Sequence, residues 1–351
     1  MNTVAMVMPP VTDLEPADAL ARWETVTRAC EALFEQQQWI PEVHARHRTT
    51  ATTLDRNGVR YRFHTDDAAL VAAVAASTPT VVHVHGLGWT RLVARLARAG
   101  VPVVLQHHGE PPFAGRARWG HRLVRRHVSG YLFTGACTGQ ALPWIDAGVL
   151  RADARCFEVL EAAAMLPDDA GEPVVLDGMP AVLWVGRLLP GKDPLTAIDA
   201  FAAAGLQAAD LHLLATDRTL EPQVRARLES LGDVAQRVHL HPAVPHHRMR
   251  AWFEAADVFF STSHREGSGY SLIEALTCGC RPAVTGIAPH RAIVGAGVPT
   301  FAPGDVTAAA AVLRDACAVD GTSGTFSLPN MPTWGLVATQ LADAYASVSR
   351  G

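Results

Sequence analysis

The chain has 351 residues, room for about two domains of ordinary size. Hydrophobic residues make up 49% and charged residues 18%, which excludes a disordered chain and fits well-filled interiors. A net charge of -4 excludes a general nucleic-acid binder, so no nucleic-acid partner is expected.

Six cysteines (Cys30, Cys137, Cys156, Cys278, Cys280, Cys317) are scattered without a CxxC pair or zinc-ligand spacing. Neither a disulfide framework nor a structural metal is indicated, and a cytoplasmic location is expected. The opening residues MNTVAMVMPPVTDLEP show no basic region followed by an apolar stretch, and no segment has the roughly 18 apolar residues of a spanning helix. Of the 30 basic residues only Lys192 is a lysine.

Short apolar runs alternate with stretches of helical period, the pattern of βα units around a parallel sheet. In the first half, strands are predicted at 4–8, 81–85, 102–106, 131–134 and 157–161. After the first, Leu20, Trp23, Val26, Cys30 and Leu33 recur at the spacings of one helix face. Residues 116–127 carry five arginines, two histidines, Trp119, Leu123 and Val124. They suit either an anionic lipid surface or a solvated helix with a buried apolar edge. The short apolar face and the negative net charge favour the second reading over peripheral membrane contact.

Residues 166–180 hold three prolines and two glycines and read as a linker into a second domain. Strands follow at 181–186, 211–215, 238–241, 257–261 and 282–285, and a last helix carries the stripe Trp334, Val337, Ala338, Leu341 and Tyr345 after a loose stretch at 321–332. The expected fold class is α/β: two doubly wound Rossmann-like domains facing a deep cleft. The expected boundaries are 1–167, completed by a helix at 333–349, and 175–330.

The sharpest candidate site is Gly186-Arg187 followed by Lys192, at the carboxyl end of a predicted strand and before a helix. A guanidinium and an ammonium beside a helix N-terminus suit a departing diphosphate. The same pair would also suit a solvated loop, but the sole lysine among 29 arginines marks a place where a compact ammonium does what a planar guanidinium cannot. The second candidate runs from Glu266 through Gly267, Ser268, Gly269, Tyr270 and Ser271 to Glu274. Two glycines let backbone amides approach an anion, and a carboxylate on the first turns of the helix can accept from ribose hydroxyls. Ordinary helix capping draws on the same residue types.

In this order, Gly-Arg-x4-Lys, Glu-Gly-x-Gly, Glu-x7-Glu, Ala-Leu-x-Cys-Gly at 275–279 and Pro303-Gly304-Asp305 resemble family 4 of the retaining GT-B glycosyltransferases. The resemblance covers most of 181–345. It implies a GT-B fold, a nucleotide-diphosphate sugar donor (UDP- or GDP-linked), an acceptor hydroxyl on a small molecule, retention at the anomeric carbon and no metal or other cofactor. It implies that Arg187 and Lys192 hold the diphosphate, Glu274 the ribose, and Glu266 with the following loop the sugar, with Gly186 and Val244 also on the donor side.

In the first half, VVHVHGLGW followed by PVVLQHHGE is similar to the family's histidine-bearing strand end, which implies His108 as the donor-sugar contact, with His107 as the alternative. Pro10, His107 and Glu110 are the acceptor-side candidates. The sequence departs from the family at Pro9-Pro10, where a glycine-rich loop is usual, at Thr216-Asp217-Arg218, and at His290, where a glutamate is common. The competing expectations are a noncatalytic nucleotide-sugar-binding partner and a GT-B epimerase.

Overall fold

The computed structural model describes residues 2–134, 137–160, 162, 166, 171–318 and 333–350. They divide into two compact units, Met1–Ala162 with Pro332–Gly351 and Ala163–Met331. The loose stretch expected at 321–332 lies outside the described residues.

The first unit holds one sheet of β1 (Asn2–Val7), β2 (Trp39–Arg46), β3 (Thr52–Arg56), β4 (Val59–His64), β5 (Val81–His85), β6 (Val103–Gln106), β7 (Gly130–Phe133) and β8 (Cys156–Glu158). Their spatial order is β3-β4-β2-β1-β5-β6-β7-β8, and every neighbouring pair is parallel except the β3–β4 hairpin. The sequence expectation lacked β2, β3 and β4. β3 and β4 alternate exposed and covered side chains at the sheet edge instead of forming an apolar run, and β2 is interrupted in character by Pro41, Glu42 and His44.

The period of two places Val4 and Met6 of β1 in one core and Ala5 and Val7 in another, one on each face of the sheet. The first core takes the helix Glu24–Glu35 and the last helix, Trp334–Ser349, and the second takes Asp67–Ala76 and Thr90–Ala97. Each fully buried Val or Leu contributes about 1.5–3 kcal/mol, so covering both faces dominates the energetics. The apolar stripe over 20–33 is divided between two helices, Pro16–Arg22 and Glu24–Glu35, with Trp23 at the break. On the last helix Val337, Ala338, Leu341 and Tyr345 are buried, and a 2.7 Å hydrogen bond joins the Tyr345 hydroxyl to His83 Nδ1.

Residues 116–127 form the helix Gly115–Val124 and a short turn, with His121 and Val124 buried and Trp119 and Leu123 exposed. Among the described residues no helix is long and apolar enough to cross a membrane.

The second unit is a wholly parallel sheet of β9 (Ala181–Gly186), β10 (Asp210–Ala215), β11 (Val238–Pro242), β12 (Val258–Ser261), β13 (Arg281–Thr285) and β14 (Thr300–Phe301), in the order β11-β10-β9-β12-β13-β14. β14, two residues long, is the strand the sequence did not announce. Val182 and Trp184 pack with Phe201 on one face, and Leu183 packs with Leu272 on the other. The chain runs outward from β9 through β10 to β11 and returns to β12 on the opposite side. The first unit reverses in the same way between β1 and β5. Open α/β sheets bind ligands at the carboxyl ends of the strands beside such a reversal.

Candidate active site

In the second unit the two predicted motifs stand on the loops that follow the neighbouring strands β9 and β12. The loops are laced together: Thr262 Oγ1 lies 3.1 and 2.7 Å from the carbonyl oxygens of Lys192 and Asp193, and His264 N donates to Gly191 O at 2.9 Å. Asp193, at φ 50°, caps the helix Pro194–Ala204 by accepting from Thr196 N and is further held by His264 Nε2 at 2.8 Å. Across this frame Lys192 Nζ donates to Glu266 Oε1 at 2.5 Å, and Ser263 Oγ donates to the same oxygen at 2.6 Å. Glu266 Oε2 has no partner among the described residues. Arg187 is exposed at the end of β9.

Beyond Glu266 the loop passes Gly267 and Ser268 to Gly269, whose φ of 75° favours glycine and where a Cβ would press on Ile293 Cδ1 at 3.0 Å and His290 Cδ2 at 3.4 Å. The helix Tyr270–Thr277 starts there with no side-chain hydrogen bond from its N-cap, Gly269, whose carbonyl takes the amides of Leu272 and Ile273 at 3.0 and 3.1 Å, and its N-terminal end carries the positive pole of the helix dipole. Ser271 lies in that first turn. Glu274, one turn further on and 6% exposed, is met by His246 Nε2 at 2.7 Å. Val244 is half-buried against the apolar cluster that includes Leu272. The structure thus brings Gly186, Arg187, Lys192, Glu266 and the Gly267–Ser271 loop residues to the β9–β12 reversal.

Sequence reasoning did not single out His246 or Ser263, because neither stands in a motif. His290, noted only as a departure, is 1% exposed, and its Nδ1 lies 3.0 Å from Thr285 O. A carbonyl can only accept, so the proton sits on Nδ1 and Nε2 is left as an acceptor facing Gly269. Burial pushes the His290 pKa down to about 4, which keeps the ring neutral.

In the first unit His107 and His108 go separate ways. His107 is buried against Phe133 and Trp144 with Nε2 3.0 Å from Glu110 O, which makes it a core residue. His108 is exposed, lines a cavity at the carboxyl ends of β1, β5 and β6, and lies with Nε2 3.1 Å from Nδ1 of the buried His85. Glu110 lines the same cavity and accepts from His108 N at 2.6 Å through Oε2. From the loop after β1 it is Met8 and Pro9 that line the cavity; Pro10, the residue expected there, does not. The proline-rich loop turns its earlier residues inward.

Residues 148–320 match the family model described as "Glycosyl transferases group 1". No curated protein sequence matches the chain. Among solved structures it resembles sucrose-phosphate synthase from Thermosynechococcus elongatus at 14% identity over 99% of both chains, with a TM-score of 0.70. It also resembles the UDP-forming α,α-trehalose-phosphate synthase from Burkholderia xenovorans in complex with glucose-6-phosphate, at 12% identity over 99% of this chain and 100% of that one, TM-score 0.71. Anabaena HepE in complex with UDP and glucose is similar at 15% identity over 99% of this chain and 97% of that one, TM-score 0.62. At such identities the likeness is one of fold, the GT-B fold. Because the group 1 model spans the segments that carry Arg187, Lys192, Glu266 and Glu274, the chain is a glycosyltransferase of that fold.

Proposed function

We propose that the enzyme moves a sugar from a UDP- or GDP-linked donor to an acceptor hydroxyl with retention at the anomeric carbon, in the cytoplasm and without a metal. The observation that carries this reading is the 2.5 Å contact of Lys192 with Glu266 across the reversal of the second sheet, beside the uncapped start of the Tyr270–Thr277 helix. A sugar diphosphate placed there meets a cation and the positive end of a helix at its phosphates and a carboxylate at its sugar. Arg187 and Lys192 take the diphosphate, Glu266 Oε2 a sugar hydroxyl, and Glu274 with His246 the ribose. The description of HepE with UDP and glucose, and of the trehalose-phosphate synthase as UDP-forming, supports a uridine donor.

In the reaction the bond from the anomeric carbon to the β-phosphate oxygen breaks and its electron pair leaves with the diphosphate. The acceptor oxygen bonds to the anomeric carbon on the same face, and its proton passes to the departing phosphate oxygen. Positive charge fixed in place beforehand stabilises that oxygen as it gains charge. Incubation with a panel of uridine, guanosine, adenosine and thymidine diphosphate sugars tests the reading. Slow release of one nucleoside diphosphate, reduced at least about tenfold in Lys192→Ala, is the expected result. Binding without release from any donor, under any acceptor, would refute it.

A further inference from the structure

The first unit's cavity has a volume of about 580 Å³, within the range of small-molecule sites, and it lies where the strand order reverses between β1 and β5. Its walls are apolar: Met8 and Pro9 after β1, Trp23 and Val26, Trp89 and Phe113. Trp89 Nε1 donates to His85 O at 3.0 Å, so the one polar atom of that ring is used internally and the ring serves as an apolar surface. Trp23 is held by stacking on Phe63, with centroids 6.1 Å apart and planes at 7°.

Polar groups come together at Glu110 and His108. Glu110 Oε2 is occupied by His108 N, while Oε1 stands beside Gly86. A Cβ at Gly86 would meet Trp89 Nε1 at 3.1 Å and Glu110 Oε1 at 3.5 Å, and its φ of 97° also requires glycine. Gly86 therefore keeps the space between ring and carboxylate open. No arginine or lysine lines the cavity among the described residues, in a chain with 29 arginines. A phosphate placed there would lose its hydration with no cation among the described lining residues to offset the loss, and would face the Glu110 carboxylate.

We propose that this cavity binds the acceptor and that the acceptor is an uncharged aromatic alcohol. Its ring lies against Trp23, Trp89 and Phe113, and its hydroxyl donates to Glu110 Oε1 within reach of His108. The inference rests on the transferase reading and gives it a substrate class.

Isothermal titration calorimetry of the full chain with 2-naphthol, 2-naphthyl phosphate and glucose 6-phosphate tests the charge argument, since the first two share a ring. The expected result is binding of 2-naphthol, with both phosphate esters weaker by at least about tenfold. Thr25→Trp fills the cavity from its wall and should weaken 2-naphthol at least about tenfold. Gly88→Leu is the second variant, because a Cβ there meets only Phe113 Cζ at 3.9 Å, and it should have the same effect. UDP and GDP binding should be unchanged in both. No binding of 2-naphthol, equal or tighter binding of the phosphate esters, or 2-naphthol binding unaffected by the folded variants would each overturn the proposal. Failure of UDP and GDP to bind the wild type would instead count against the donor site, leaving the aromatic result to be read by itself.

Discussion

Lys192 Nζ donates to Glu266 Oε1 at 2.5 Å, although the two residues are 74 positions apart and stand on loops of different strands. The side chains are 22% and 15% exposed, so the pair is screened from bulk water only in part. Its value is therefore in placing a cation and a carboxylate side by side. Lys192→Ala should lower kcat/KM at least about tenfold, roughly 1.4 kcal/mol of transition-state stabilisation, with little change in thermal midpoint. Lys192→Arg should also impair turnover, because a planar fork does not reproduce a point charge. Measured release of nucleoside diphosphate that is unchanged in both variants would remove Lys192 from the site.

Glu274 is buried, with His246 Nε2 2.7 Å from one of its oxygens. If the carboxylate holds the ribose, Glu274→Ala should depress kcat/KM at least about tenfold. His246→Ala removes the group that orients it, and should raise the donor KM about fivefold while kcat stays within about twofold, the signature of lost uniform binding. Steady-state kinetics with the donor varied separates these outcomes, and a kcat-only effect in His246→Ala would contradict the assignment.

What could be read from sequence was what sits in continuous apolar strands and the loops right after them. β9, β10 and β12 are buried on both faces, so their runs are unbroken, and the Lys192 and Glu266 loops could be placed at their ends. The contact between those two loops was not legible, because it depends on β9 and β12 pairing while β10 and β11 intervene in the chain. His246 was hidden for a similar reason, since its partner Glu274 lies 28 positions on, whereas Ser263, three residues before Glu266, simply stands in no motif. The choice between His107 and His108 turned on which side of a strand end each faces, which Trp144 and the cavity decide. The β3–β4 hairpin was different, since Asn57-Gly58 between alternating segments was a readable turn signal.

Burial makes the protein sensitive to acid. His290 is pushed down to about 4 and His121 also to about 4, from an ordinary value of 6.5. As pH falls below 6.5 the unfolded chain takes up these protons before the folded one, so stability is fully present above about 6.5 and is lost progressively toward 4. For His290, 1% exposed, the effect is on the order of 3 kcal/mol. Glu42, held down to about 2 by His44 and Arg62, loses its contribution only below its ordinary 4.5. Thermal melts should therefore show a falling midpoint between pH 6.5 and about 4.5, before carboxylates contribute. A flat midpoint over that window would mean these histidines are solvated in the folded protein.

Gly58 tests the hairpin. Asn57 and Gly58 have φ of 49° and 80°, both positive as a two-residue turn of the primed type demands, and they set the register that pairs Arg56 with Val59 and Leu54 with Tyr61. A Cβ on Gly58 would run into the ring of Phe34, whereas Gly100, at φ 73°, has nothing within 4 Å. Gly58→Ala thus carries both left-handed strain and a displaced aromatic ring, and Gly100→Ala carries the strain alone, about 1–2 kcal/mol. Urea denaturation should show Gly58→Ala costing more than Gly100→Ala by about 1 kcal/mol or more, the size of a lost aromatic contact. Asn57→Gly keeps the φ freely but removes the 2.9 Å hydrogen bond from Asn57 Nδ2 to the buried Glu31 carboxylate, and should cost about 1.5–3 kcal/mol. Equal losses in the two alanine variants would show that Phe34 moves aside without cost and that the turn is held by backbone geometry alone.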